Sequence, residues 1–189
     1  MYHIKDDKRA YKSSELIFQG LFECLKSKAF KEITISDIQR VSSVGRATFY
    51  RNFDSLIDVL HWRCDLQYKT MMEEYTRLLH HDESSTEFLR YFFGYWMFHS
   101  DVLEILINLG RYDIVYQSHY DNSKILYEYF RDSFVINQET FEYYMALRIG
   151  AFVNILIAWI KNGKKESVDR LVDIIEKLIT DLSGSPLII

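Results

Sequence analysis

Residues 33–60 of this 189-residue chain read ITISDIQRVSSVGRATFYRNFDSLIDVL, and they predict two short helices joined by a tight turn. Thr34 and Asp37 have the spacing of a capping box, so the first helix is expected to begin at Thr34. The pattern breaks after about two turns, and Ser43 is expected to cap the next helix, over residues 44–50. Such a pair can place its second helix in the major groove of DNA, but an ordinary helical hairpin has the same spacing.

Helical periodicity continues on both sides of this stretch. A helix over residues 8–27 precedes it, behind a loose arm at residues 1–9. Ser55 with Asp58 predicts the start of a long helix that ends near residue 80. The chain has one proline and seven glycines, which is few for an all-β protein with its frequent turns. We therefore predict an all-α fold of about nine helices.

The remainder of the chain predicts a larger helical domain. Aromatic residues make up 16% of the sequence, which provides ample material for a core. Residues 110–123 lack periodicity and are expected to be irregular. The predicted division is residues 1–60 as one domain and residues 61–189 as another, joined without a flexible linker. Helices of the second domain are expected over residues 86–99, 101–110, 123–130, 138–161 and 165–182.

The positive charge of the chain is concentrated in residues 1–60. Ten Lys and Arg residues oppose eight Asp and Glu residues there, whereas residues 61–189 have thirteen against nineteen. The chain as a whole carries −4, so only its first part is suited to facing phosphate. Unremarkable variation in surface charge is the alternative explanation.

The cysteines and the apolar segments predict a cytoplasmic protein. Cys24 and Cys64 lie within helical patterns, as reduced packing residues would, and the N-terminus has no signal-like pattern. The most apolar segment, residues 149–160, is interrupted by Asn154 and is shorter than the roughly 20 residues that span a bilayer. We therefore expect a soluble protein with no membrane partner.

If the two short helices bind DNA, their residues divide into two roles. Small side chains at the start of the second helix let its backbone approach DNA, and donors on the same helix reach bases or phosphates. The start of the first helix, with its exposed N–H groups, favours a phosphate. The predicted DNA-contacting residues are Thr34, Ser36, Ser43, Gly45, Arg46, Ala47, Thr48, Tyr50, Arg51 and Asn52.

One known family shares this order of residues. Thr34, Asp37-Ile38, Val44, Thr48-Phe49-Tyr50, Phe53 and Ser55 resemble the N-terminal domain of TetR-family transcriptional regulators, typically written T-x-x-x-I-A-x-x-A-G-V-S-x-x-T-[FL]-Y-x-[HY]-F. The resemblance covers about a third of the chain, and Thr-Phe-Tyr followed by Phe is its most specific part. It implies a helix-turn-helix fold and DNA binding.

Four positions depart from the family pattern. Gln39 replaces a small alanine where the two helices meet, Ser43 stands in place of the turn glycine, and Gly45 stands in place of a serine. Leu56 occupies the position of a lysine that often touches phosphate. We expect the loss of that lysine to weaken DNA affinity and to make its salt dependence shallower.

The resemblance also implies a homodimer and an effector. Residues 138–161 and 165–182 would pair with their twofold mates in a four-helix bundle, the alternative being a helix buried within one subunit. The second domain of such regulators often binds a small molecule, although for any one aromatic residue a packed core is the simpler interpretation. The candidate ligand-binding residues are Tyr91, Tyr95, Trp96, Tyr112, Tyr127 and Phe152.

The sequence gives no sign of an enzyme. The six histidines are scattered without metal-binding spacing, and there is no Gly-rich phosphate loop and no G-x-S-x-G. We expect no catalytic residue, metal or cofactor. The prediction is a homodimeric repressor that binds a palindromic operator in double-stranded DNA and is released by a small-molecule effector. A TetR-like activator, or a protein-controlled regulator without a ligand, is left open.

Overall fold

The computed structural model describes residues 1–78, 85–130 and 138–183, and these ranges hold nine α-helices and no strand. The all-α prediction is confirmed. One 3₁₀ turn, Phe30–Glu32, follows the first helix. The helices are α1 (Lys8–Leu25), α2 (Ile35–Ser42), α3 (Arg46–Asn52), α4 (Leu56–Leu78), α5 (Ser85–His99), α6 (Asp101–Asn108), α7 (Tyr112–Phe130), α8 (Gln138–Lys161) and α9 (Val168–Ser183).

The chain forms two compact units, Met1–Leu66 and Gln67–Ile189. In the first unit α1 packs against both α2 and α3, which also contact each other. The core of this unit is mainly apolar, and Phe53 is wholly buried in it. Its most deeply buried side chains are Ile17, Leu21, Ile38, Phe49, Phe53, Val59 and Leu60. A small core of this kind is sufficient to fix three short helices that would be marginal alone.

The start of the chain is not the loose arm that its polarity predicts. Tyr2 forms an antiparallel bridge with Phe53, and the His3 N–H donates to the Asn52 carbonyl oxygen at 2.8 Å. The Tyr2 hydroxyl donates to the Asp65 carboxylate. These contacts are between residues far apart in sequence, so the polarity of the segment does not predict them.

In the second unit α5 packs against α9, and α8 packs against α6 and α7. Aromatic side chains fill the core, and Phe93 meets Trp159 edge to face at a centroid distance of 5.8 Å. Cys24 and Cys64, both in the first unit, are buried and form no disulfide, as expected. The bounds of α8 agree with the prediction.

The expectation that residues 110–123 are irregular is wrong from Tyr112 onward, because α7 begins there. The Asn122 amide donates to the Ser118 carbonyl oxygen at 2.9 Å, and the Ser123 hydroxyl donates to the His119 carbonyl oxygen at 2.6 Å. The polar residues that suggested a break therefore bond to the preceding turn of the same helix. Burial of Val115 on the inner face stabilises that helix further.

Helix α8 is long and apolar. Its segment Thr140–Lys161 is sufficient by length and composition to cross a membrane, with a mean hydropathy of 1.6. The expectation that no segment reaches this length is wrong by that measure, since the helix tolerates isolated polar residues such as Asn154. Only 33% of the segment's most apolar window is buried within the subunit. Much of an apolar helix therefore lies on the surface of a single chain.

Candidate nucleic-acid interface

The start of α2 has the predicted capping box. The Asp37 N–H donates to the Thr34 hydroxyl oxygen at 3.2 Å, and the Asp37 carboxylate accepts from the Thr34 N–H at 3.0 Å and from its hydroxyl at 2.8 Å. Lys28 and Arg40 also contact that carboxylate, at 2.8 and 2.9 Å. The Lys28 ammonium, followed by the Thr34 donors, holds the pKa of Asp37 well below its usual range. The single acid of this segment is thus surrounded by cations.

The turn between α2 and α3 differs from the prediction. Ser43 does not cap α3; it ends α2 with a left-handed backbone, at φ 59°. Gly45 is the N-cap, and α3 begins at Arg46 rather than at residue 44. The Ser42 hydroxyl donates to the Ile38 carbonyl oxygen and accepts from the Val44 N–H, at 2.7 and 3.2 Å. The Ser42 hydroxyl is thus both a donor and an acceptor, and its two bonds hold the three-residue turn against the end of α2.

The inner face of α3 carries Phe49 and Asn52. Asn52 is 3% exposed, and its amide nitrogen donates to the hydroxyl oxygens of Ser13 and Ser14 on α1, each at 3.0 Å. The prediction that Asn52 contacts DNA is therefore wrong. Its amide donors are used inside the unit, where they fix the end of α3 to α1.

The outer face of α3 is exposed and cationic. Arg46, Ala47, Tyr50 and Arg51 are all solvent-exposed, and 57% of Tyr50 is accessible, whereas Thr48 is half-buried. Residues four apart lie on one side of a helix, so these side chains share a face. This face has two arginines and no acid.

The first turn of α2 lies beside this face. Ser36 is exposed, and its hydroxyl accepts a hydrogen bond from the Arg46 guanidinium. Thr34 is also exposed, but its hydroxyl hydrogen is already donated to Asp37. The structure thus brings nine of the ten predicted residues to the turn and the outer sides of the two helices. Residues 34–52 carry three arginines and one aspartate, in contrast to the acidic chain as a whole.

The departures from the family pattern have mild structural effects. Gln39 is exposed, so it does not crowd the place where the helices meet. Ser43 adopts a conformation that glycine adopts at lower cost. Leu56 is half-buried at the start of α4, where a long cation would have reached solvent.

The predicted ligand-binding residues with described side chains do not converge on one cavity. The hydroxyls of Tyr91 and Tyr95 donate to the carbonyl oxygens of Met71 and Gln67 on α4, at 3.3 and 3.2 Å. Trp96 is wholly buried and Tyr112 is 41% exposed. The Tyr127 side chain lies outside the described residues. Of the five whose side chains are described, Phe152 alone lines the cavity described next.

A cleft of about 280 Å³, including its open mouth, lies in the second unit. Its walls are three phenylalanines, a methionine and an isoleucine. Its polar groups come from Tyr68, His119, Ser123 and Arg148. Sequence reasoning missed all four, because they are far apart in the chain and follow no motif. Among the described residues, no cluster of three or more His, Cys, Asp or Glu residues is placed to hold a metal ion.

The last two helices expose apolar side chains. Tyr143 and Leu147 on α8 are each 76% exposed, and Leu178 and Ile179 on α9 are 50% and 56% exposed. Exposed aliphatic and aromatic side chains on long neighbouring helices are typical of a surface that a partner covers.

Comparisons with known proteins agree with this fold. Residues 83–181, slightly more than half of the chain, match the family model TetR_C_8, described as the transcriptional regulator C-terminal region. The crystal structure of Lin0861 from Listeria innocua is similar, with a TM-score of 0.78, 15% sequence identity, and coverage of 95% of this chain and 96% of that chain. No curated protein matches the sequence. The family match falls in the half of the chain that carries no helix-turn-helix motif.

Proposed function

Because the chain belongs to the TetR family of transcriptional regulators, we propose that it is a repressor that binds a palindromic operator as a homodimer. The observation that carries this proposal is the two-sided α3. Phe49 and Asn52 anchor its inner face, and the outer face presents Arg46, Tyr50 and Arg51 to solvent. A helix held rigidly on one side and cationic on the other is suited to the major groove.

The proposed DNA-binding domain is residues 1–60. Arg46, at the start of α3, is proposed to contact a guanine edge in bidentate fashion, and Arg51, further along α3, to contact a phosphate. Binding would require Arg46 to exchange its bond with Ser36 for one with DNA. The proposed contact residues are Thr34, Ser36, Ser43, Gly45, Arg46, Ala47, Thr48, Tyr50 and Arg51.

A gel shift on DNA flanking the protein's own gene tests DNA binding. We expect Arg46→Ala to weaken specific binding by about 1–3 kcal/mol and Tyr50→Ala to weaken it as well. Arg77→Ala removes an exposed cation from the second unit and is the matched control, expected to bind as the parent does. Two results would show that this surface does not bind DNA specifically. Either the parent shows no specific binding at near-physiological salt, or neither α3 variant changes that binding.

Dimerisation is proposed through α8 and α9, within a second domain of residues 61–189. Regulators of this family generally bind DNA as dimers. The exposed Leu147 and Ile179 support a covered surface on these helices. Sedimentation should give a dimer for the parent chain and a monomer for Leu147→Glu. Asn108→Glu, at an exposed position on α6, should remain dimeric, and a dimeric Leu147→Glu would place the interface elsewhere.

We also propose a cytoplasmic protein without catalytic activity, whose second domain binds a small-molecule effector. The cleft lined by Phe152 and Arg148 supports an effector, because ligand sites are concave and apolar with a few polar groups. A TetR-like activator or a protein-controlled regulator without a ligand is the alternative. Thermal denaturation with a metabolite library separates the two, since a ligand that binds only the folded chain raises its melting temperature.

A further inference from the structure

The buried His119 lines the cleft and has one ring nitrogen without a described hydrogen-bond partner. His119 is 1% exposed, and its Nδ1 lies 2.9 Å from the Val115 carbonyl oxygen. A carbonyl oxygen only accepts, so Nδ1 carries the proton. Burial lowers the pKa of His119 to about 3, so the ring is neutral and Nε2 carries only a lone pair. Among the described residues, Nε2 has no hydrogen-bond partner.

A neighbouring pair of hydroxyls belongs to Tyr68 and Ser123, which are hydrogen-bonded to each other. The Ser123 hydroxyl hydrogen is donated to the His119 carbonyl oxygen. In the 3.1 Å bond between Tyr68 and Ser123, Tyr68 must therefore be the donor. The Tyr68 ring lies against the His119 ring, at a centroid distance of 4.0 Å. His119 Nε2 therefore remains the acceptor in this part of the cleft that calls for a donor from an occupant.

Among the described residues that line the cleft, Arg148 alone carries a formal charge. Its guanidinium carbon lies 4.8 Å from the centroid of Phe88 and 5.4 Å from that of Phe152. No Asp or Glu among the residues with described side chains pairs with it. A half-buried guanidinium held by two rings and without an acid keeps its five N–H donors available for a planar anion.

We propose that this cleft binds a small organic carboxylate that also carries a hydroxyl or N–H donor. The carboxylate pairs with Arg148, the donor bonds to His119 Nε2, and the phenylalanines cover the apolar part. The 280 Å³ of the cleft includes open solvent at its mouth, so the acid must be small. The enclosed space holds about one water molecule, so lining side chains must move to admit the acid. The role of this acid as effector rests on the function proposed above, whereas its binding does not.

Thermal denaturation of the full chain tests the proposal with matched probes. The probes are benzoate, 4-hydroxybenzoate, 3-hydroxybutyrate and the methyl ester of each, at millimolar concentration. We expect at least one hydroxy acid to raise the melting temperature and its ester not to do so. Benzoate should raise it less than 4-hydroxybenzoate if the latter binds, because benzoate lacks a donor for Nε2.

Two variants assign the contacts. Arg148→Gln should weaken acid binding by about tenfold to a hundredfold, the range for hydrogen bonds to a charged group, while Arg90→Gln removes an exposed cation and should leave it unchanged. His119→Phe should abolish the difference between the melting-temperature increases given by 4-hydroxybenzoate and by benzoate. If that variant unfolds, His119→Gln is used instead. Its amide oxygen also accepts a hydrogen bond, so the difference between the two acids should remain.

Three outcomes overturn the proposal: no acid raises the melting temperature, acids and esters act alike, or Arg148→Gln binds acids as well as the parent does. Arg148 then only covers the phenylalanine rings, and a water molecule satisfies Nε2. Gel shifts are read separately. If the protein binds an acid but not DNA, the proposed function is wrong and the carboxylate site stands. If it binds DNA but no acid, only the carboxylate site is wrong.

Discussion

Gly20 lies where α1 and α2 approach most closely, and replacing it tests the packing of the first unit. A Cβ at this position would lie 3.0 Å from Ser42 Cβ and 3.5 Å from the Ile38 carbonyl oxygen. Ordinary contacts between carbon atoms are about 3.5–4.0 Å, so Ser42 must move by several tenths of an ångström. The backbone has to move with it, because Cβ positions do not change with rotamer and the hydroxyl is bonded to Ile38 and Val44.

The expected change in the free energy of unfolding is the cost of overpacking minus the gain in helix propensity. Overpacking of a core costs about 1–3 kcal/mol, and the better helix propensity of alanine returns about 1 kcal/mol. Gly20→Ala should therefore lower the free energy of unfolding by about 1 kcal/mol. Gly94→Ala, inside α5, is the matched control. Its added Cβ meets nothing within 4 Å, so it should raise that free energy by up to about 1 kcal/mol.

Urea unfolding followed by far-UV circular dichroism measures both variants. Opposite signs for the same chemical change would show that the close approach, rather than helix propensity, decides the result. A Gly20→Ala protein at least as stable as the parent would refute the reasoning. Since Ser42 holds the turn before α3, DNA affinity should fall in Gly20→Ala and stay unchanged in Gly94→Ala.

Three further substitutions concern α2 and its turn. Thr34→Ala removes the capping hydroxyl and should lower the free energy of unfolding by about 0.5–2 kcal/mol in the same urea experiment. Ser43→Gly replaces a residue with left-handed backbone, at φ 59°, and should raise the free energy of unfolding by about 0.5–1 kcal/mol; a less stable variant would contradict this. Asp37→Asn should lower the melting temperature at pH 7, because the depressed pKa of Asp37 means that its ionised form stabilises the folded state. This stabilisation is present above the unfolded pKa of about 3.9 and is lost as pH falls below it, so the difference between Asp37→Asn and the parent should narrow in acid.

The sequence predicts local features well because their hydrogen bonds span few residues. The Thr34–Asp37 capping box closes over three residues, and the bounds of α8 follow from an apolar pattern that ends at Asn162 and Gly163. The start of α9 shows where such local patterns fail, because the helix begins three residues later than predicted. Positive φ at Gly163 and Lys164 extends the turn, so α9 begins at Val168 and not at residue 165.

The tertiary structure alone decided which polar residues face inward. Asn52 reads as a surface donor in the sequence, and only the crossing of α1 places Ser13 and Ser14, about forty residues away, under its amide. His119 and Arg148 read as scattered residues until α7 and α8 bring them to one cleft. Helix caps and helical periodicity depend on residues close together in sequence. The burial of a polar group and its hydrogen-bond partners depend instead on which distant helix packs beside it.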